Sequence, residues 1–255
     1  NTLGTITISD WYGTINAGTN TFSNSSVFNS GRDASLTCGD FTSSGTFNST
    51  HPLGNYIYAS GNVAISGTFS NPTYNYLTMS GVSKTINSSV TIGTLQINNG
   101  ASVSISTNNL TLASYLYVGQ GTSGSFNQST LALNVAGGFY IYNNATFTKS
   151  SNSSAITLNG ATQYMSDANA APNDIGVVVT SGTGTTTMTG NLRVTSLSIG
   201  NGTTFNLGTT SYTLTITGTG TPLTTNSSGT FNKGTGSTVV YTGTTTATNV
   251  APVNY

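Results

Sequence analysis

Val90-Thr91-Ile92-Gly93-Thr94-Leu95-Gln96-Ile97-Asn98-Asn99-Gly100-Ala101-Ser102-Val103-Ser104-Ile105 returns about a hundred residues later as Leu192-Arg193-Val194-Thr195-Ser196-Leu197-Ser198-Ile199-Gly200-Asn201-Gly202-Thr203-Thr204-Phe205-Asn206-Leu207. Val90, Ile92, Leu95, Ile97, Val103 and Ile105 are matched by Leu192, Val194, Leu197, Ile199, Phe205 and Leu207, and the turn glycine Gly100 by Gly202. The apolar side chains alternate with hydroxyl and amide ones, the two-residue period of a half-buried β-strand. The match continues in register from Leu112 to Leu214. After a short insertion Gly124-Ser125-Phe126-Asn127 corresponds to Gly229-Thr230-Phe231-Asn232, a phrase met earlier as Gly45-Thr46-Phe47-Asn48.

Within a copy the apolar pairs Leu95/Ile97, Val103/Ile105 and Leu110/Leu112 follow one another every seven to nine residues. Such short connections leave no room for a βα crossover. They suit a meander of hairpins or the sides of a coil with two or three strands per turn. Helix signals are nearly missing, because Gly recurs and β-branched Thr, Val and Ile dominate. Asn99-Gly100, Asn159-Gly160 and Asn201-Gly202 punctuate the strands as turns.

Composition selects between these. Only ten of 255 residues are charged, Glu is absent, and Ser and Thr make up about a third of the chain. A parallel β-helix stacks like residues on like at about 4.8 Å, which rewards Thr, Asn and Val and penalises repeated charge. We therefore expect an all-β chain, a parallel β-helix (β-solenoid) with two related ~100-residue repeats. At roughly 20 to 25 residues per turn it would form about ten turns and a rod of about 50 Å. The alternative is a β-sandwich filament subunit that donates a strand, Leu3 to Ile8, to its neighbour. The expected organisation is an N-terminal cap or contact region over 1–52, a first repeat over 53–165, a linker over 166–182 and a second repeat over 183–255. The first region holds the only Trp (Trp11), the only Cys (Cys38), the Arg32-Asp33 pair and Asp40. The chain starts at Asn1 and ends in Val250-Ala251-Pro252-Val253-Asn254-Tyr255, which reads as the approach to another strand and suggests a segment of something longer.

Charge and motif content exclude several functions. Zero formal net charge and no basic stripe argue against nucleic acid. No apolar run approaches the ~20 residues of a membrane helix. A carbohydrate-cleaving β-helix needs clustered carboxylates or calcium, and the acids here are Asp10, Asp33, Asp40, Asp167 and Asp174. Asp33 with Asp40, or Asp167 with Asp174, would have to meet in one loop; as single residues they read as turn or cap acceptors. His51, the only histidine, precedes Pro52 in a loop and has no serine elbow to serve. Gly119-Gln120-Gly121-Thr122-Ser123-Gly124 matches a dinucleotide fingerprint in letters only, since no helix follows it, and reads as a turn. Cys38 reads as a small buried hydrophobe. We expect no catalytic, cofactor or metal site, and no enzyme.

Two surface features remain. Nine acceptor sequons for N-glycosylation occur, at Asn24, Asn48, Asn87, Asn109, Asn127, Asn144, Asn152, Asn201 and Asn226, about the number chance supplies at this composition. Tyrosines cluster as Tyr56/Tyr58, Tyr74/Tyr76, Tyr115/Tyr117 and Tyr140/Tyr142, each pair placed on one face of a strand. Stacked across turns they make an aromatic ladder that stabilises the rod or receives a sugar or a partner. Thr-rich runs such as Thr242 to Thr248 raise ice binding, but their spacing along the chain is irregular.

The phrase Gly229-Thr230-Phe231-Asn232-Lys233-Gly234-Thr235-Gly236-Ser237-Thr238-Val239-Val240-Tyr241-Thr242-Gly243, with the repeat at Leu95 and Leu197, resembles repetitive bacterial extracellular surface proteins: adhesins, autotransporter passengers and filamentous haemagglutinins. The resemblance spans residues 60 to 255 and is one of style rather than of a diagnostic motif. It implies a secreted β-solenoid at the cell surface that displays or extends a binding function, with no catalytic residues to carry over. Its expected partners are further copies, neighbouring segments of a longer chain, or a cell-surface glycan.

Overall fold

In the computed structural model the structure describes residues 6–8, 13–30, 33–49, 55–151, 154–244 and 248–249. Asp10, Trp11, Arg32, His51, Pro52, the Asn152 sequon, part of the 3–8 segment and residues 250–255 lie outside them. Among the described residues the only helical element is one turn of 3-10 helix, Pro72–Tyr74. All else is short strands and turns, as Gly-punctuated alternation of β-branched residues dictates.

The strands wind as a three-sided coil. The long face is an eleven-stranded sheet running from Thr14–Asn16 to Thr230–Asn232. The second face carries seven strands, from Phe22–Asn24 to Thr146–Thr148, and later three more, from Leu192–Val194 to Thr238–Tyr241. The third carries four strands up to Thr68–Ser70 and then six, from Leu110–Leu112 to Leu223–Thr225. Successive long-face strands begin 19 (Asn75 to Thr94) to 26 (Thr204 to Thr230) residues apart. Eleven strands at the usual inter-strand spacing make a rod of about 50 Å. Every ladder between described strands is parallel. The chain is a β-solenoid, and the antiparallel β-sandwich alternative does not describe it.

The core is a set of columns. Leu36, Ile57, Leu77, Leu95, Leu116, Phe139, Met165 and Met188 are register partners from one long-face strand to the next, all buried. On the third face Phe28, Phe47 and Phe69 stack at 4.8 and 5.0 Å between ring centres. Each buried Leu, Ile or Phe contributes about 1.5–3 kcal/mol, so every turn depends on its neighbours above and below.

The two sequence copies behave unexpectedly. Leu95 and Ile97 lie on the long face, whereas their counterparts Leu197 and Ile199 lie on the third. Val103 and Ile105 are on the second face and Phe205 on the long face; Leu112 is on the third and Leu214 on the second. The whole copy is displaced by one face. Likewise Phe47, Phe126 and Phe231, from one repeated phrase, sit on the third, second and long faces. Strand-turn-strand units are interchangeable because each face presents the same inward demand to the core.

Strand pairing runs through two of the expected boundaries. Among the described residues of 1–52, Thr14–Asn16 and Ala34–Cys38 pair into the long face like any later strand. Residues 166–182 also take part in the coil. They include the end of the strand Thr162–Asp167 and all of Val177–Thr180, which is paired on both sides. This stretch does mark an irregularity. Here the second face has no strand, and residues 168–176 cross it with a single bridge, Asp174 to Arg193. The Pro, Asn and Asp residues that read as a linker are those that replace a strand.

Candidate functional site

Asp33 and Asp40 do not come together. They flank the five-residue strand Ala34–Cys38, which holds them about 20 Å apart rather than in one loop. Asp40 Oδ1 accepts the Asn62 N–H at 2.7 Å, a turn role. Cys38 is 1% exposed in the column of Ala59, and burial, then Asp40, pushes its thiol up to about 11, so it is an inert core group. Gly119, with φ of 80°, lies near the end of the strand Tyr115–Gln120, and Gly121, with φ of 105°, in the connection to the strand Gly124–Asn127, so no helix follows. Among the described residues no group of three or more His, Cys, Asp or Glu comes together.

Asp167 is the one charged side chain inside a long-face strand, 2% exposed, following Val118 and Ile141 in an inward column. Its Oδ1 accepts Asn169 N–H at 2.9 Å and Asn169 Nδ2 at 2.7 Å. Its Oδ2 accepts Asn173 N–H at 2.6 Å and Asn173 Nδ2 at 2.8 Å. Asp174 accepts Gly176 N–H and the hydroxyls of Thr195 and Thr217. Both carboxylates face N–H and O–H donors, the opposite of the oxygen donors a cation requires. They hold the segment that replaces the missing strand.

The tyrosines form the distinctive surface. Tyr56 and Tyr76 are register partners with ring centres 5.2 Å apart, and Tyr58 lies 6.5 Å from Tyr56. Farther along the same face Tyr117 and Tyr140 are partners at 5.3 Å, flanked by Tyr115 at 5.4 Å and Tyr142 at 6.2 Å from Tyr117. Between the two groups lies one turn bearing Thr94 and Gln96, where Thr78 Oγ1 donates to Gln96 Oε1. Tyr74 departs from the expected pairing, because it stands in the 3-10 turn. Tyr164, which has Ser166 rather than Tyr at i+2, joins the same outward face as the register partner of Gly138 and was not legible as part of it. Burial, reinforced by neighbouring phenols, raises the pKa of Tyr117 and takes Tyr140 to about 12, so both stay neutral at physiological pH. Asp167 apart, no long-face strand contains a charged residue.

Beside the second tyrosine group, at the corner between the long and second faces, an open groove of about 230 Å³ is lined by Gly100, Ser123, Gly124, Ser125, Asn144 and Thr146. It spans three successive turns of the coil. Positive φ at Asn99, Gly100, Gly121 and Asn144 bends the corners that shape it. Elsewhere Asn and Thr side chains are tied across turns, as in Asn48 to Asn29 and Thr180 to Thr203. The side chains of Ser123, Ser125, Asn144 and Thr146 make no hydrogen bond within the described residues.

The remaining surface candidates separate by geometry. Asn24 is 9% exposed and its amide donates to Ser43 and Thr46, which sets it apart from the exposed sequon residues Asn127, Asn144, Asn201 and Asn226. Asn48 and Asn87 are half-buried and Asn109 is exposed, with side chains bonded to Asn29, Asn108 and Ala132 respectively. Thr162, Thr185, Thr204 and Thr230 form one outward column through their register, although unequal turns space them irregularly in the chain. The adjoining column reads Tyr164, Thr187, Asn206, Asn232, so the threonine array is one residue wide. Comparison with family models, with curated proteins and with solved structures yields no match to this chain.

Proposed function

We propose that this chain is a structural, non-enzymatic segment of an extracellular surface protein or filament, acting as a stiff, sparsely charged rod. The observation that supports it is the eleven-stranded parallel long face, which couples every turn to the next by backbone hydrogen bonds and by stacked side chains. A rod of this kind transmits load and extends a surface without a catalytic centre. The paired and hydrogen-bonded state of Asp40, Asp167 and Asp174 is in keeping with that role. Association follows from the same ladders. A sheet edge left unpaired at either end of the coil would be a template for a further segment. Low charge and abundant hydroxyls suit a secreted surface.

Electron microscopy of the native material at strand-resolving quality tests the reading. Rods about 50 Å long per chain, isolated or joined end to end, are expected. Compact particles without an extended axis would sink it.

A further inference from the structure

We infer that the second tyrosine group and the corner groove together form a binding strip for a neutral polysaccharide, an inference that rests on the surface-rod reading and gives the rod its ligand. Three independent observations converge. First, the half-buried Tyr115, Tyr117, Tyr140 and Tyr142 rings lie 5.3 to 6.2 Å apart across two turns, stacked or tilted against one another on an otherwise hydroxylated face. The parts of the rings left uncovered, with their phenol tips, meet the C–H groups and hydroxyls of a pyranose laid along them. Second, the adjoining groove of about 230 Å³ offers Ser123, Ser125, Asn144 and Thr146, whose hydrogen-bonding groups the protein leaves uncommitted. The groove is open and its lining is small and polar, so it offers hydroxyl and amide groups rather than apolar walls. Third, the strip carries no formal charge. An anionic polymer would demand Lys or Arg and a cationic one carboxylates, so charge selects a neutral chain. A second protein copy fits less well, because a flat face laid over the corner would leave the four groove side chains buried without partners.

The full chain is run by affinity electrophoresis in gels containing a soluble neutral β-glucan, a galactomannan or a xylan, with polygalacturonate as the anionic control. Retardation in at least one neutral gel and none in polygalacturonate is expected. The Tyr117→Ala/Tyr140→Ala variant should bind about tenfold more weakly, the equivalent of about 1.4 kcal/mol. Ser125→Trp, at a half-buried position of the groove lining, should weaken binding similarly while circular dichroism stays unchanged. Absence of retardation in all three neutral gels, or equal retardation of wild type and Ser125→Trp, overturns the strip. So does sedimentation showing a wild-type dimer that Ser125→Trp abolishes, which would assign the face to a second copy. Micrographs of the same preparations keep the two ideas apart: rods without retardation remove only the glycan strip, whereas the absence of rods removes the structural role beneath it.

Discussion

Asp167→Ile asks whether the inward column at the long face is simply a packing column. Its register partner Ile141 is buried, and Val118 and Ile97 precede it, so on packing alone an isoleucine belongs at the next position. Full burial of that side chain would then add about 1.5–3 kcal/mol. The structure predicts the opposite sign. The carboxylate satisfies two backbone N–H groups and two side-chain amides, from Asn169 and Asn173, over 2.6 to 2.9 Å. Each backbone donor stranded away from water costs about 1–3 kcal/mol, so the two together cost about 2–6. Set against that gain, the mid-range cost leaves Asp167→Ile with a net loss of about 2 kcal/mol. Asp167→Asn should also destabilise, because its NH2 would oppose two of the donors. A solenoid can unfold turn by turn, so equilibrium denaturation is paired with amide exchange, where Asn169 and Asn173 should lose protection ahead of the neighbouring strands. A more stable Asp167→Ile, with both amides still protected, would refute the view that this carboxylate organises the strandless crossing.

Alkaline titration tests the tyrosine ladder. Tyr140 is raised from 10.0 to about 12, and Tyr117 is raised as well, by burial and by neighbouring phenols. The native state therefore holds protons that the unfolded chain has released, so stability is full below pH 10 and falls as pH climbs toward about 12. Phenolate absorbance that titrates every tyrosine near 10 in the folded protein would contradict this. Gly119 and Gly121 make a matched pair within one turn: a Cβ at Gly119 would lie 2.4 Å from Ala145 Cβ, and one at Gly121 meets nothing within 4 Å. Both have positive φ, so Gly121→Ala should cost about 1–2 kcal/mol from backbone strain alone. Gly119→Ala should cost at least about 1 kcal/mol more from the steric clash, and equal losses by denaturant titration would show that the corner yields freely. Leu116→Ala, at a fully buried position midway along the long face, should cost about 2–5 kcal/mol. A loss under about 1 kcal/mol would mean that adjacent turns collapse into the gap.

The alternation at Leu95/Ile97, Val103/Ile105 and Leu110/Leu112, the glycine turns between them and the scarcity of charge point to an all-β coil of roughly twenty residues per turn, but leave a β-sandwich as the alternative until the parallel pairing decides. Those properties are local: a two-residue period and a turn every seven to nine residues leave few ways to bury the apolar edge. What the chain alone also left undecided is which face each unit occupies. Leu95 and Leu197 satisfy the same rule on different faces, because the core asks only for an inward apolar side chain and does not distinguish one side from another. Every surface property inherits that ambiguity. The column of Thr162, Thr185, Thr204 and Thr230, the entry of Tyr164 and the exclusion of Tyr74, and the meeting of Gly100, Ser123 and Asn144 in one groove all depend on turn lengths of 19 to 26 residues adding up in register. Alternation along the chain therefore determined short, half-buried strands, and backbone pairing between turns decided their parallel sense and what the outer faces present, because residues some twenty apart become neighbours only once their strands are hydrogen-bonded.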